Sequence, residues 1–456
     1  MRAALLLYIL LSAGICFPQL SDQLKIQKLD SLFSALEKNN MSMGSISIYK
    51  NGREFYSKTY GISNDKNHQK LLSGDKTVYR IGSISKILTA FLIIKLAEEN
   101  KLELKQDIGR FFPDLKHAKN ISIEQLLAHK SLLPVYHKVD DLEKLRRAKT
   151  EAEFIAIVNK REQNADTSKF RYNNLNYTLL GLIVEKVTGK SYNEALEVYL
   201  KELPGHRLYG TYHLLDHQKN EANSFHLEKE VWKEDYEITE SPLSDGSGFL
   251  LSNAGTLNEF MENLFAYKLI SRESLETMLP KNGMFGYGLM KSNFYEHRGF
   301  GHTGRIEGFT AACSYFPAEQ IGVTFLQNGT VYPLNDIMVF VGEIMFDKPF
   351  ILPGFSKRTL GEDDIAKMQG SYINKEEGYT VIVDAKKQQL RLRIVKGHSP
   401  FKMIIPTLAL EKNRLLNPSQ GIIFDFNSLQ NSRYMQCEMK VNGAKLKLER
   451  LTNQNP

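Results

Sequence analysis

Apolar residues recur along the first hundred positions with two different periods, and each period predicts a different kind of element. Residues 24–39 place apolar side chains at helical spacing, so an amphipathic helix is expected there. Residues 45–60 surround the tip Asn51-Gly52, a pair that suits the positive φ angles of a two-residue turn, and therefore predict a β-hairpin. Residues 83–99 are apolar around most of their circumference, which predicts a helix buried inside a domain.

The middle of the chain mixes both patterns. Helical spacing returns at 123–128, 175–187 and 192–202, and strand-like apolar runs return at 308–315 and 322–326. Residues 206–240 show no regular period and are expected to be irregular, while residues 245–248 predict a turn. Helices and strands mixed in this way predict an α+β domain.

The last hundred residues follow a third pattern. Apolar and polar positions alternate with a period of two at 380–383, 390–394 and 445–449. This alternation predicts antiparallel strands, and we expect an all-β domain, a sandwich or a barrel, over residues 365–456. The expected division is therefore a first domain over residues 20–350, a linker over 351–364, and the β domain.

Charge separates the same two regions. The formal net charge is +7, and from residue 355 onward 17 Lys and Arg stand against 10 Asp and Glu, so this segment accounts for all of it. Two interpretations stay open: a solvated basic surface, or a weak association with an acidic envelope surface. No nucleic-acid-binding module is recognisable, so no nucleic-acid partner is expected.

Composition and targeting limit the class of protein further. Hydrophobic residues make up 42% and charged residues 24%, which suits a packed protein rather than a disordered one. Three cysteines, Cys16, Cys313 and Cys437, are too few for a disulfide-rich scaffold. Residues 1–19 predict a secretory signal peptide, and hence a secreted or periplasmic protein. Lipoprotein anchoring at Cys16 is less favoured, because Ile15 stands where that signal needs a small residue.

The start of the apolar helix carries candidate chemistry. It reads Ser83-Ile84-Ser85-Lys86, and a spacing of three places Ser83 and Lys86 about one turn apart on one face. Burial lowers the pKa of an amine, so Lys86 is a candidate base for Ser83 as nucleophile. The alternative is an ordinary helix start whose lysine extends to solvent. Ser-x-x-Lys occurs at four other places in the chain, so the context of the buried helix distinguishes this one.

Two later motifs could complete such a site. The first is Tyr172-Asn173-Asn174. A tyrosine hydroxyl can transfer protons, and the amide of Asn174 can orient a substrate carbonyl, although Asn174 could equally cap a helix. The second is Gly301-His302-Thr303-Gly304, in which Gly304 would allow a substrate to approach the backbone closely; the alternative there is a polar turn before a strand.

Taken in order, the three motifs resemble the serine β-lactamase and penicillin-binding protein family, in the branch of class C β-lactamases, D-aminopeptidases and esterases. That family carries Ser-x-x-Lys, then Tyr-x-Asn, then Lys/His-Thr-Gly. The similarity extends over residues 45–328. The matching stretches are RIGSISKILTAFLIIKLAEENKLELKQDIGRFFPDL, ISIEQLLAHKSLLP, FRYNNLNYTLLGLIVEKVTGKSY, GSGFLLSNAGTLNEFM, FGYGLM and GHTGRIEGFTAACSYFP. The resemblance implies a β-lactamase/transpeptidase-like domain: an antiparallel sheet with flanking helices and a helical region.

The resemblance also implies roles for individual residues. Ser83 would be the acylated nucleophile, Lys86 would accept its proton, and Tyr172 would transfer protons at the leaving group and at the deacylating water. The oxyanion hole would consist of the backbone N–H groups of Ser83 and Arg305. No metal or organic cofactor is implied. The residues that would bind substrate are Asn174, His302, Thr303, Gly304 and Arg305.

Three positions depart from the family pattern. The family usually has His-Thr-Ser-Gly-Leu where this chain has His129-Lys130-Ser131-Leu132-Leu133. Arg305 stands where a small residue is common, so it either narrows the cleft or contacts an anionic substrate. His302 replaces the lysine of class C β-lactamases, which favours the esterase or peptidase branch over strong antibiotic hydrolysis.

The sequence therefore predicts a secreted serine hydrolase that forms an acyl-enzyme on amide or ester bonds, with D-amino-acid peptides, esters or β-lactams as substrates. The expected partner is a small molecule or a peptide such as a cell-wall peptide. The alternative is a non-hydrolytic protein that binds penicillin or peptidoglycan peptides, or an envelope-binding module. Two weaker signals remain. His213 and His217 have metal-ligand spacing, and Trp232 and Tyr236 either cover the substrate or simply pack.

Overall fold

The computed structural model describes residues 20–451 with several internal gaps, and its contacts divide the chain into two compact units. One unit is Ser42–Val331; the other combines the N-terminal segment up to Met41 with Tyr332–Pro456. The helix Asp22–Lys38 and residues 332–350 thus group with the C-terminal sheet, whereas the sequence places them in the first domain; the predicted boundaries stay a prediction. The gaps are 67–68, 136–144, 146–147, 163–165, 202, 204–207, 211–219, 236–242, 244, 356–359, 387–388, 397–402, 407, 411–412, 418–421 and 442–443.

The predicted signal peptide, residues 1–19, lies outside the described residues, and so does Cys16. Of the helices in the described ranges, none is both long and apolar enough to cross a lipid bilayer.

An antiparallel sheet is the centre of the Ser42–Val331 unit. Its strands follow the order β10-β11-β12-β13-β1-β2, and β7 adds to β13 in parallel while β8 pairs with β7. The strands of this unit are β1 Ser42–Lys50, β2 Arg53–Tyr60, β3 Ile62–Lys66, β4 Gln69–Leu72, β5 Tyr79–Arg80, β6 Leu208–Gly210, β7 Phe225–Glu228, β8 Val231–Glu234, β9 Leu250–Ser252, β10 Met290–Lys291, β11 Phe300–Ile306, β12 Phe309–Phe316 and β13 Ile321–Thr330.

The β1–β2 hairpin confirms the prediction from Asn51-Gly52. Lys50 pairs with Arg53, so the two residues between them form the turn. Asn51 has φ 54° and Gly52 has φ 77°, the left-handed conformations that this turn requires. Local turn chemistry is therefore sufficient to specify this hairpin.

Helices surround the sheet, and one of them is buried almost completely. The predicted helix 83–99 begins as a 3₁₀ turn, Gly82–Ile84, and continues as helix α2, in which Lys95, Ala97 and Glu98 alone are not fully buried. Helices were also predicted at 123–128, 175–187 and 192–202, and the unit contains a helix at each of these places. The helices at Glu151–Val158, Ala254–Phe265 and Arg272–Met278 were not predicted. The helices are α2 Ser85–Glu98, α3 Ile123–Leu127, α4 Glu151–Val158, α5 Asn174–Thr188, α6 Tyr192–Tyr199, α7 Asp245–Gly248, α8 Ala254–Phe265 and α9 Arg272–Met278.

Two segments differ from expectation. Residues 206–240, expected to be irregular, contain β6 and the β7–β8 hairpin. The turn of that hairpin uses Lys229 at φ 46° and Glu230 at φ 67°, so it lacks the glycine or asparagine by which a turn is recognised. Residues 245–248, expected to be a turn, form the one-turn helix α7, which packs against α2 and α5. Packing from both sides, rather than local preference, fixes this helical turn.

The second unit combines helices with one antiparallel sheet. Its helices are α1 Asp22–Lys38, α10 Leu334–Met345 and α11 Glu362–Met368, and its strands are β14 Gly370–Asn374, β15 Tyr379–Lys386, β16 Gln389–Lys396, β17 Met403–Pro406, β18 Leu408–Leu410, β19 Arg414–Asn417, β20 Ile422–Gln430, β21 Arg433–Val441 and β22 Ala444–Arg450. The strand order is β17-β16-β15-β14-β22-β21-β20-β19-β18. An all-β C-terminal region is thus confirmed, and α11 takes up the last three residues of the predicted linker.

Chain connectivity requires this nine-stranded sheet to curl. Strand β17 ends at Pro406 and β18 begins at Leu408, yet the two strands lie at opposite ends of the strand order. Nine flat strands at about 4.8 Å spacing would place their edges about 40 Å apart, whereas one intervening residue reaches about 7 Å. Of the two predicted forms, sandwich and barrel, the topology favours the barrel-like form.

Candidate active site

Three segments that are distant in the sequence meet at Ser83. Ser83 lies in the 3₁₀ turn before α2, and strand β11 runs directly alongside this turn. A Cβ on Gly304 would lie 1.9 Å from the Ile81 carbonyl oxygen, and a Cβ on Gly82 would lie 2.6 Å from the Arg305 backbone nitrogen. Both positions therefore require glycine, and this close approach brings together the two backbone segments that carry the Ser83 and Arg305 N–H groups.

Lys86 is the buried amine of the site. Its Nζ lies 3.1 Å from Ser83 Oγ, and it also donates to the Ser247 carbonyl oxygen in α7. The side chain is fully buried, and this burial lowers the pKa of Lys86 to about 7 because an ammonium loses its hydration there. At neutral pH a large share of the amine is therefore unprotonated and able to accept a proton.

Tyr172 lies on the other side of Ser83, just before α5. Lys86 Nζ lies 5.1 Å from the centroid of the Tyr172 ring, and the Ser83 side chain is close enough to the phenol to lower its pKa. Burial raises the pKa of Tyr172 to about 12, and this effect outweighs the opposing influence of Ser83. The phenol is therefore protonated at neutral pH, so in this structure it begins as a proton donor rather than as a phenolate base.

His129 supports Tyr172 from behind. The two rings stack with centroids 4.5 Å apart and planes at 29°. His129 Nδ1 accepts a hydrogen bond from the Asn173 backbone N–H at 3.1 Å, so its proton is on Nε2. Burial lowers the pKa of His129 well below its usual range, with a further contribution from the charge of Lys86. His129 is thus a neutral ring that makes a structural hydrogen bond and also contacts the site.

His302 lies on β11, with its ring centroid 6.2 Å from that of Tyr172. Its Nδ1 donates to the Thr303 carbonyl oxygen at 2.5 Å, and the side chain is buried. Burial, assisted by the charge of Lys86, lowers the pKa of His302 to about 4. The position that carries a lysine in class C β-lactamases therefore holds an uncharged ring at neutral pH.

The remaining candidate substrate-binding residues are on the surface of the site. Thr303 and Arg305 are exposed and alternate along β11 with the buried His302 and Gly304. Asn174 is exposed as the first residue of α5. The helix cap is Asn173, not Asn174: its side chain accepts from the Leu175 N–H at 3.0 Å. The alternative in which Asn174 caps the helix is therefore wrong, because the N-cap position is one residue earlier, at Asn173.

Sequence reasoning missed several neighbours of the site. The Ser247 carbonyl contacts Lys86, and the Tyr177 ring lies 5.7 Å from Lys86 Nζ. Phe285 stacks on Phe170 at 4.4 Å and lies 6.0 Å from the Tyr172 ring. Their only signal in the sequence was that they fall within the flanking stretches of the family resemblance.

Other predicted features lie away from the site or outside the described residues. Trp232 is buried in β8 and packs over Gly329, while Tyr236 lies outside the described residues. His213 and His217 also lie outside them. Within the described ranges, no group of three or more His, Cys, Asp or Glu side chains is arranged to hold a metal ion. Cys313 and Cys437 are buried free thiols.

Comparison with known sequences places the chain in a family. The family model described as "Beta-lactamase" matches residues 29–338. Protein flp of Staphylococcus aureus strain N315 is 27% identical over 323 residues, a match that covers 66% of this chain and 63% of that protein. The chain thus spans less than two thirds of this relative's length. A teichoic acid D-alanine hydrolase of Staphylococcus aureus strain MRSA252 is 31% identical over 173 residues, or 37% of this chain and 40% of that enzyme.

Solved structures share the fold. The octameric penicillin-binding protein homologue from Pyrococcus abyssi aligns with a TM-score of 0.62 and 24% identity, covering 92% of this chain and 99% of that one. A D-amino acid amidase from Ochrobactrum anthropi SV3 aligns with a TM-score of 0.60 and 20% identity, covering 70% and 99%. These alignments confirm the predicted β-lactamase/transpeptidase-like fold.

Proposed function

Because the chain belongs to the beta-lactamase family, we propose that it is a serine hydrolase that cleaves amide or ester bonds through an acyl-enzyme on Ser83. One observation carries this proposal: Ser83 Oγ lies 3.1 Å from a fully buried amine, whose pKa burial lowers to about 7. A lysine that is buried charged would be costly, whereas a lysine that serves as a base needs its neutral form.

Acylation would proceed as follows. Neutral Lys86 accepts the Ser83 hydroxyl proton while Oγ attacks the substrate carbonyl carbon. The N–H groups of Ser83 and Arg305 bind the oxyanion that forms. As the carbon–nitrogen or carbon–oxygen bond breaks, the Tyr172 phenol donates its proton to the departing group and recovers one from the Lys86 ammonium. The products of this half-reaction are the Ser83 ester and the neutral amine or alcohol.

Deacylation would use the same groups in reverse. A water molecule loses a proton to neutral Lys86, either directly or through the Tyr172 hydroxyl, which accepts one proton as it passes its own to the amine, and the resulting hydroxide attacks the ester carbon. The tetrahedral intermediate then expels Ser83 Oγ, which regains a proton, and the carboxylic acid product leaves. No group is consumed, so Ser83, Lys86 and Tyr172 return to their starting protonation states.

For the substrate class, we propose D-amino-acid esters and amides in preference to β-lactams. The supporting observation is that His302 is neutral at neutral pH. Arg305 is therefore the charged side chain that strand β11 exposes at the surface of the site. Two similar proteins bear names that specify D-alanine or D-amino acids. A secreted or periplasmic location, inferred from residues 1–19, would give access to such compounds of the cell envelope.

Labelling of Ser83 tests the proposal. A fluorophosphonate should add one adduct to the wild-type protein, located by peptide mass spectrometry on Ser83 and absent from Ser83→Ala. Ser47→Ala is a matched control, since Ser47 and Lys50 have the same spacing but lie on strand β1. Absence of an adduct on wild-type Ser83 would overturn the proposal. A penicillin adduct that forms but persists for hours, without turnover of D- or L-alanine p-nitrophenyl esters, would instead indicate the binding protein.

A further inference from the structure

A buried ion pair lies at the edge of the site and takes no part in the mechanism above. Arg80 Nη1 lies 3.9 Å from Glu307 Oε2, with side chains 1% and 10% exposed. Arg80 is three residues before Ser83, and Glu307 is two residues after Arg305. The pair therefore links the two backbone segments that supply the oxyanion hole.

The backbone at Glu307 is unusual for its side chain. Ile306 pairs with Phe309, so Glu307 and Gly308 form the two-residue turn of the β11–β12 hairpin, with φ 46° and 84°. Asn-Gly suits such a turn, and the β1–β2 hairpin of the same sheet uses it. A glutamate held in this conformation is strained, and strain of this kind is typical of positions kept for another reason.

The ion pair also spans the gap between strand β11 and the turn that contains Ser83, and the width of this gap affects the spacing of the two N–H groups. The Gly304 Cα faces the Ile81 carbonyl so closely that a Cβ there would lie 1.9 Å from it. The Ile81 N–H is fixed to the Leu250 carbonyl at 3.0 Å, so the Ser83 side of the gap is anchored to β9. The position of β11 against this anchor decides how far the Arg305 N–H lies from the Ser83 N–H.

Stability alone is a weak reason for such a pair. Removing two charges from water costs about as much as their attraction returns, so a buried pair is often no better than apolar residues. A buried pair does, however, hold two segments in one register. Phe249, next to β9, lies 5.8 Å from the Arg80 guanidinium and closes the arginine's side of the contact.

We propose that Arg80 and Glu307 are positioning residues that hold β11 against the Ser83 turn and thereby set the spacing of the oxyanion hole. This inference rests on the proposed function, because it assigns the Ser83 and Arg305 N–H groups to oxyanion binding. Neither side chain touches the reacting atoms.

Substitution of Glu307 tests the inference. Glu307→Gln removes the charge and keeps the size, and we expect kcat/KM for a p-nitrophenyl ester to fall about tenfold, mainly through kcat, with KM changed less than about twofold. A second substrate, the thionoester of the same acid, places a larger and weaker acceptor in the hole. The preference for oxygen ester over thionoester should fall about fivefold, because a hole of altered spacing loses its fit to oxygen. A merely structural role would reduce both activities together and leave this preference unchanged.

Two further variants distinguish the effect of the Glu307 charge from the effects of the turn conformation and of general stability. Glu307→Asn suits the positive φ, so it should melt at a higher temperature than Glu307→Gln, which removes the same carboxylate from the buried arginine, yet lose the preference as Glu307→Gln does; if Glu307→Gln fails to fold, Glu307→Asn carries the test. Glu319→Gln is the matched control, since it removes a carboxylate that pairs with His297 at 2.6 Å beyond the other end of β12. It should leave the preference unchanged.

The outcomes distinguish the inference from the proposed function. Unchanged preference in both Glu307 variants, with normal labelling of Ser83, overturns the positioning role and leaves the hydrolase intact. Full activity of Glu307→Asn would show that only the turn matters, which also overturns it. Absence of Ser83 labelling in the wild-type protein removes the proposed function, and this inference with it.

Discussion

At the residue scale, burial shifts the pKa values of Lys86, Tyr172 and His302 around Ser83. It lowers the pKa of Lys86 to about 7 and of His302 to about 4, and it raises that of Tyr172 to about 12. Near neutral pH the site therefore contains a partly deprotonated amine, a neutral imidazole and a protonated phenol. One physical cause thus leaves Lys86 able to accept a proton and Tyr172 able to donate one, as the proposed mechanism requires.

This pattern predicts the pH dependence of the reaction. Since Lys86 must be neutral to accept the Ser83 proton, kcat/KM for an uncharged ester should rise as the pH increases through about 7 and level off above it. His302 stays neutral from pH 5 upward and adds no second step near its usual pKa. A stopped-flow pH profile between 5 and 10 checks this. A rise that continues to pH 10 would show that Lys86 has the pKa of an ordinary exposed lysine.

Lys86 also affects stability. Its pKa is lower in the folded protein than its ordinary value of 10.5, so the unfolded chain binds more protons between about pH 7 and 10.5. Stability contributed by this group therefore rises with pH across that window, and the buried amine destabilises the fold below it.

This direction of the pH dependence predicts how the variant Lys86→Met should behave. It should abolish acylation, yet melt at a higher temperature than the wild type at pH 6, and the gain should fade by about pH 10. Calorimetry across this pH range, with fluorophosphonate labelling, measures both effects. Ester hydrolysis retained in the variant would show that the base is another group, and a lower melting temperature at pH 6 would contradict the burial argument.

At the element scale, the site depends on how closely β11 approaches the 3₁₀ turn before α2. Gly82 and Gly304 permit this approach, because a Cβ added at either position would clash with backbone atoms of the other segment. The sheet holds β11 in place, with β12 paired to it from Phe300 to Ile306 and β10 paired to its first two residues. The geometry of the proposed oxyanion hole would therefore be a property of two packed elements rather than of one motif.

Gly304→Ala tests this dependence. The new Cβ would lie 1.9 Å from the Ile81 carbonyl oxygen, so β11 must shift, and we expect at least about a hundredfold loss in kcat/KM. Gly255→Ala is the control: Gly255 lies in helix α8, where alanine is favoured, and the atom nearest to its new Cβ would be Glu54 Oε1 at 3.8 Å. Circular dichroism verifies folding of both. Normal turnover by Gly304→Ala would mean that the hole is formed elsewhere.

At the scale of the whole molecule, chemistry and charge occupy different units. Every candidate site residue lies within Ser42–Val331, while the residues from 355 onward carry the entire formal net charge. The nine-stranded sheet has its own core, with Tyr372, Leu392 and Phe424 fully buried. The basic region can therefore act on a partner without contributing to the reaction.

Removal of residues 360–456 should separate the two properties. We expect Ser83 acylation to stay within about threefold, because the central sheet is complete without them. Binding to vesicles that contain anionic lipid, measured by co-sedimentation, should fall and should weaken with salt for the full chain. Equal binding by the two proteins would dispose of the envelope association and favour a merely solvated surface.

The sequence alone determined the elements with strong local patterns and the candidate chemistry. Asn51-Gly52 specified a hairpin, the apolar run after Ser83 specified a buried helix, and the alternation after residue 365 specified an all-β region. These succeed because turn geometry, helical periodicity and strand periodicity are local properties of the chain. The three motifs in order were also enough to indicate the family.

Only the tertiary structure decided which groups surround Ser83 and in what state of protonation. Three contacts join residues that are far apart in the chain, and no local sequence pattern specifies them. They are the Lys86–Ser247 hydrogen bond, the stack of His129 on Tyr172 and the Arg80–Glu307 ion pair. The pKa of a group depends on what removes water from it, which is a property of packing. Residue types therefore supply the nucleophile and its partners, while the fold supplies their distances and charges.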